Sequence, residues 1–168
     1  SELGDQFDSI ESKEDFFIKF KSEISNLKKL NDIETGSLNL NLILKKQIFI
    51  AAVTAMETYL SDTFITLVLE DDFLIRRFVE TNPDFKNRKF DLKDLFEQHD
   101  KIKVTCKTIL FDTIYHNLPK VREMYREVLQ IEFPPIADVN SCVSVRHDLV
   151  HRNGKTKEGT SIFLNTQV

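Results

Sequence analysis

The run Arg146-His147-Asp148-Leu149-Val150-His151 puts one guanidinium and two imidazoles within six residues. Imidazole gains and loses a proton near neutral pH, which suits it to move protons on a hydroxyl or a leaving oxygen. Guanidinium keeps its charge and needs an anion, either a carboxylate of the same chain or a ligand phosphate. Together they offer a fixed cation that needs an anion and groups that can carry a proton beside it. Arg152, Lys155 and Lys157 follow closely, so this is the densest basic patch in an otherwise acidic chain.

These residues need a helix to position them. Asp138 is a plausible cap, and Asn153-Gly154 is a strong stop signal, which predicts a last helix over about Asp138 to Arg152. On a helical wheel Val139, Val143, Arg146 and Val150 fall on one stripe, so Arg146 stands where an apolar residue is expected. His147 and His151 are four apart and share the face beside that stripe. Arg146 and His151, five residues apart, diverge by about 140° on an ideal helix. The carboxyl end of a helix dipole favours imidazolium and repels phosphate, so the neighbouring cations must supply the attraction for an anion.

The rest of the chain reads as helix as well. Only four Gly and four Pro among 168 residues leave little punctuation, and fourteen Phe with no Trp point to a core of Phe, Leu and Ile. Ser12-Lys13-Glu14-Asp15 resembles a helix start, and Phe17, Phe20, Ile24 and Leu27 recur at helical spacing, giving a helix to about Leu30. The longest helix is predicted from about Leu40 to Leu69, amphipathic at first and apolar nearly all round from Ile48. That stretch could span a bilayer by length, but Glu57 and Asp62 within it are costly in lipid, so a buried central helix is expected and no membrane partner.

A short helix around Phe73 to Val79 ends at Thr81-Asn82-Pro83-Asp84, and Lys86, Arg88 and Lys89 make a solvated basic loop. Helical pattern resumes over Asp91 to Phe96 and Ile102 to Tyr115. Asn117-Leu118-Pro119 opens a further helix that Pro134-Pro135 ends. The tail from Lys155 to Val168 is irregular, with one β-prone piece at Ser161 to Leu164.

A net charge of −4 argues against general electrostatic binding of nucleic acid and leaves room only for a local basic site. Cys106 and Cys142 form no zinc pattern and read as free thiols of a reducing compartment. The acidic amino terminus has no apolar run after it, so no secretory signal is expected and the cytoplasm is the expected location. The first residue is not Met and the tail ends without a capped element, which suggests a processed end or a fragment of a longer protein.

The run Arg-His-Asp-Leu-Val-His-Arg-Asn-Gly at Arg146 to Gly154 closely resembles the signature of HEPN domains (higher eukaryotes and prokaryotes nucleotide-binding). In these an Arg, four to six residues and a His lie on the final helix of an all-helical bundle. The resemblance implies one HEPN-like all-α domain over residues 1–168, with a long central helix and the motif on the last one. It also implies a metal-independent endoribonuclease with no cofactor, acting on RNA as a homodimer whose two motif helices meet in one composite site. Many such proteins are toxins or antiviral and antiphage effectors, so an antitoxin or regulatory domain is an expected partner. Carried over, Arg146 is the motif Arg, His151 the motif His and His147 the polar residue after the Arg. Family members often carry an acid on an earlier helix, and Glu57 is the candidate. Arg152, Asn153, Lys155 and Lys157 are the candidate RNA contacts.

Other readings stay open. Arg146 could be tied to Glu57 as a buried ion pair. His147 and His151 have a spacing that suits zinc, but a third ligand is unassigned and no Glu follows the first His. The same fold could serve as a non-catalytic module for dimerisation or for binding RNA or nucleotide.

Overall fold

The computed structural model describes residues 13–86, 88–89 and 91–164. Among them the backbone forms seven α-helices: α1 Lys13–Asn31, α2 Leu38–Glu70, α3 Asp72–Thr81, α4 Pro83–Lys86, α5 Leu95–Asp112, α6 Leu118–Met124 and α7 Ala137–His151. A 3-10 turn over Leu92–Asp94 leads into α5, and α6 runs on into a π-helical turn over Tyr125–Leu129. The described residues hold no strand, only an isolated antiparallel bridge between Lys155 and Ser161. The chain is thus all-α, with a long helix early and the Arg-His run on the last helix, as the sequence predicts. The predicted cap at Ser12 lies outside the described residues.

Two compact units emerge, one from residues 60–134 and one from residues 14–59 with 135–164. In the first, Phe64 and Val68 of α2, Phe78 of α3, Cys106 and Leu110 of α5 and Val121 of α6 are sealed from solvent. Burying each large apolar side chain of this kind contributes roughly 1.5–3 kcal/mol. Phe64 meets Phe78 edge-on at 6.2 Å and Tyr125 at 5.1 Å, and the Tyr125 hydroxyl donates to the Leu60 carbonyl at 2.8 Å. The ends of these helices are tied locally. The Asp71 side chain accepts from the Phe73 N–H at 2.8 Å, and the Arg77 guanidinium donates to the Glu127 carbonyl at 2.7 Å, a group near the end of the π turn.

In the second unit Phe16 and Leu27 of α1, Val53 of α2, and Val143 and Leu149 of α7 are buried. Phe20 stacks on Tyr59 at 5.1 Å. After α7 the chain folds back, with the Thr156 N–H on the Thr160 carbonyl at 2.8 Å and the Ile162 N–H on the Gly154 carbonyl at 2.8 Å. The described part of the tail is therefore a small closed loop rather than a loose end. It brings Leu164 to a cavity of about 580 Å³ that Ile24, Leu27, Ile48, Phe49 and Ala52 also line.

Three sequence expectations need correction. The helix that begins at Leu118 ends at Leu129, before Pro134-Pro135, because Gln130 turns left-handed at φ 57° and its N–H returns to the Tyr125 carbonyl. Asp138 is not the cap of α7. It lies inside the first turn, where its charge still suits the helix dipole, and Ile136 takes the cap position without a side-chain bond. The central helix is not wrapped on all sides. From Ile48 on, Val53, Phe64, Ile65, Thr66 and Val68 are buried and most other positions only half-buried, while the exposed Leu40, Leu42 and Ile43 belong to the first turns that the sequence reads as amphipathic. At 33 residues it is about 50 Å long. By length and composition alone α2 could cross a membrane, and 17% of its most apolar stretch is buried in the protein.

Candidate active site

Helix α7 forms where the sequence calls for it and stops where Asn153-Gly154 makes it stop. Asn153 at φ 52° and Gly154 at φ 77° turn the chain left-handed, and the N–H groups of Arg152 and Gly154 both donate to the Asp148 carbonyl, at 3.0 and 3.2 Å. This fixes the last turn, which carries Asp148 and His151.

The buried face of α7 differs from the expected stripe. Val143 and Leu149 are buried and Cys142, Val145 and Arg146 are half-buried, while Val139 and Val150 are 39% and 44% exposed. The covered face therefore turns toward Cys142, Val145 and Leu149, and the two outer valines of the stripe are left at its open edge. Arg146 remains on the covered side. Its Nε is buried and has no hydrogen-bond partner among the described residues. No ion pair joins Arg146 to Glu57 or to any other carboxylate described, so the reading of a buried Arg146–Glu57 pair does not hold. Glu57, half-buried on α2 in the same unit, likewise has a buried Oε1 without a partner among the described residues.

His147 and His151 are exposed on the adjoining face, their rings 4.6 Å apart between centroids and tilted by 44°. Five residues of helix separate Arg146 from His151 by about 140°, so one α7 presents guanidinium and distal imidazole in different directions. The proposed RNA contacts are not equivalent. Lys155, Lys157 and Asn153 are exposed, whereas Arg152 is half-buried and its Nη1 is engaged by Asp148 at 2.8 Å. Sequence reasoning missed this pair, although an acid four residues before an Arg on one helix is a recognisable signal. It missed Glu158 too. Hydrogen bonds from its own backbone N–H and from Thr156 hold that carboxyl below the usual carboxylate range, and the charges of Lys157 and Arg152 add to the effect. The patch is thus four cations against two acids, a local and moderate positive site. Among the described residues no three His, Cys, Asp or Glu side chains gather closely enough to hold a metal ion.

An all-helical chain with a 33-residue helix in its first half and Arg, four residues, His closing its last helix has the make-up of a HEPN domain. The profile of the family described as RiboL-PSP-HEPN matches residues 15–164, and the chain belongs to that family. No curated protein and no solved structure matches it.

Proposed function

We propose that this protein is a metal-independent endoribonuclease that acts as a homodimer, with Arg146 and His151 as its catalytic residues. The observation that carries the reading is the state of Arg146: half-buried, one donor desolvated without a partner, and no carboxylate paired with it among the described residues. A guanidinium held this way is poised for an anion that the described residues do not supply. A phosphodiester fits, given the exposed imidazoles next to it and the lysines after it.

In this mechanism an imidazole takes the proton from the ribose 2′-hydroxyl as its oxygen attacks the adjacent phosphorus. The bond to the 5′-oxygen breaks, and that oxygen takes a proton from a second imidazole, leaving a 2′,3′-cyclic phosphate. Arg146 stabilises the charge on the phosphorane oxygens. DNA lacks the attacking hydroxyl and is not cleaved. The 140° divergence of Arg146 and His151 supports a composite site, because a second copy of α7 brings a His to the first copy's Arg and supplies both an acid and a base. His147, the polar residue after the Arg, is a third catalytic candidate beside His151; Glu57 is assigned to an auxiliary acid, and Arg152, Asn153, Lys155 and Lys157 to the RNA backbone. Toxin or antiphage defence activity in the cytoplasm, under control of an antitoxin or regulatory domain, is the role that fits a ribonuclease of this kind.

The same divergence also suits a second reading, a HEPN module that dimerises or binds RNA without cutting it. Labelled RNA incubated with the protein in EDTA, beside a sedimentation test for dimers, separates the two. Cleavage lost in both Arg146→Ala and His151→Ala, in a dimeric protein, supports the enzyme. Undiminished cleavage in His151→Ala removes its assigned role, and a dimer that cuts no RNA favours the module.

A further inference from the structure

We propose that His147 and His151 form a chelating site for one divalent transition ion of the zinc, nickel or copper class, and that an ion bound there switches off the chemistry of the site. The chelate stands on α7 alone; the switch rests on the ribonuclease reading above.

The geometry is suitable without any change in the fold. Two imidazoles one helical turn apart, with ring centroids 4.6 Å apart, lie on an exposed face. An ion about 2.0–2.1 Å from each nitrogen requires the two nitrogens to be roughly 3 Å apart, which small side-chain rotations from this arrangement provide. Neither ring makes a hydrogen bond among the described residues, so none has to be broken. The rings are tilted by 44° rather than stacked, which leaves room for an ion at their edges.

The electrostatics are mixed: Lys155 and Lys157 oppose a cation, and the helix end and Asp148 offset them. His151 is the last residue of α7, where the helix dipole favours a cation and disfavours an anion. Asp148 lies between the two histidines in sequence, and its ion pair neutralises Arg152, the nearest following cation. Arg146 is turned about 100° from His147 toward the covered side of the helix. Imidazole donors select zinc, nickel or copper over magnesium or calcium, and water completes the coordination of an ion held by two protein ligands. The other two histidines, His99 and His116, form no such pair, and His99 lies 3.6 Å from Asp100. An imidazole nitrogen bound to metal has no lone pair to take a proton, so a loaded His151 cannot serve as the base.

Calorimetric titration with nickel chloride, of protein first freed of chelator, tests the chelate. One ion binds per chain, His147→Ala and His151→Ala each weaken binding at least tenfold, and His99→Ala changes it less than twofold. Magnesium gives no heat. Circular dichroism and thermal melts confirm that the variants are folded. Equal binding by the wild type and both α7 variants, or one ion per two chains, overturns the chelate. RNA cleavage measured in parallel tests the switch: excess nickel lowers it at least tenfold and EDTA restores it. Binding with undiminished cleavage overturns the switch alone. A protein that binds nickel as described but cuts no RNA overturns the ribonuclease reading and the switch, and leaves the chelate standing.

Discussion

Arg146 holds a position that folding alone does not favour. A buried donor without a partner costs about 1–3 kcal/mol, and a Met would fill similar space without that cost. If the residue serves the reaction, Arg146→Met leaves the thermal midpoint equal to or above that of the wild type. The same change lowers RNA cleavage about 100-fold or more, the usual effect of removing a donor that stabilises developing charge. A midpoint that drops by several degrees in a melt monitored by circular dichroism assigns Arg146 to the fold instead. The thiol of Cys106 is the opposite kind of buried group. It is apolar in its habits, sealed from solvent, and pushed up to about 11 by burial, so it is a core residue and a poor nucleophile.

The end of α7 is the element on which the site depends. Its last turn is closed by Asn153 and Gly154, both at positive φ, and a Cβ at Gly154 would meet only Leu149 Cδ2 at 3.8 Å. Gly154→Ala therefore creates no clash, and its cost is that of holding an L-residue in the left-handed region, about 1–2 kcal/mol. Urea denaturation is expected to show that loss with an unchanged slope. Activity then falls more than stability does, because the turn aims His151 and the lysines that follow. The ion pair between Asp148 and Arg152 is 18% and 31% exposed, lies along the helix, and contributes at most about 1 kcal/mol. Its larger effect is to neutralise one cation of the basic patch at the end of α7.

At the scale of the molecule, alkaline pH acts on the unit formed by residues 60–134. An unfolded thiol loses its proton near pH 8.5, while Cys106 in the folded protein holds its proton until about 11. Between these values the unfolded state binds fewer protons, so stability falls as pH rises through that window. Tyr115, raised by burial and by the nearby charge of Asp62, acts with the same sign at higher pH. Urea midpoints at about pH 8 and about pH 10.5 are expected to show the fall, and Cys106→Ala is expected to reduce it. The proposed composite site makes a prediction at this scale: if two copies of α7 build it, activity is lost on dilution below the dissociation constant of the dimer.

Helix spacing, sparse Gly and Pro, and the closing Asn153-Gly154 were enough to place the all-α class, the long early helix and the motif on the last one. These signals act over one or two turns of backbone, so they can be read locally. Arg146 and His151 were legible for the same reason, as residue types at a set spacing. Which face of α7 is covered was not, because burial depends on what lies across from each residue, and the expected stripe had its two outer valines in solvent. The stop at Gln130 was also hidden: nothing local marks a Gln for left-handed backbone, and the π turn before it forms where Tyr125 and Val128 are drawn into the core. The freedom of Arg146 from any described carboxylate was likewise decided by tertiary structure. Composition supplies acids in plenty, and only the folded chain determines that none of those described reaches it.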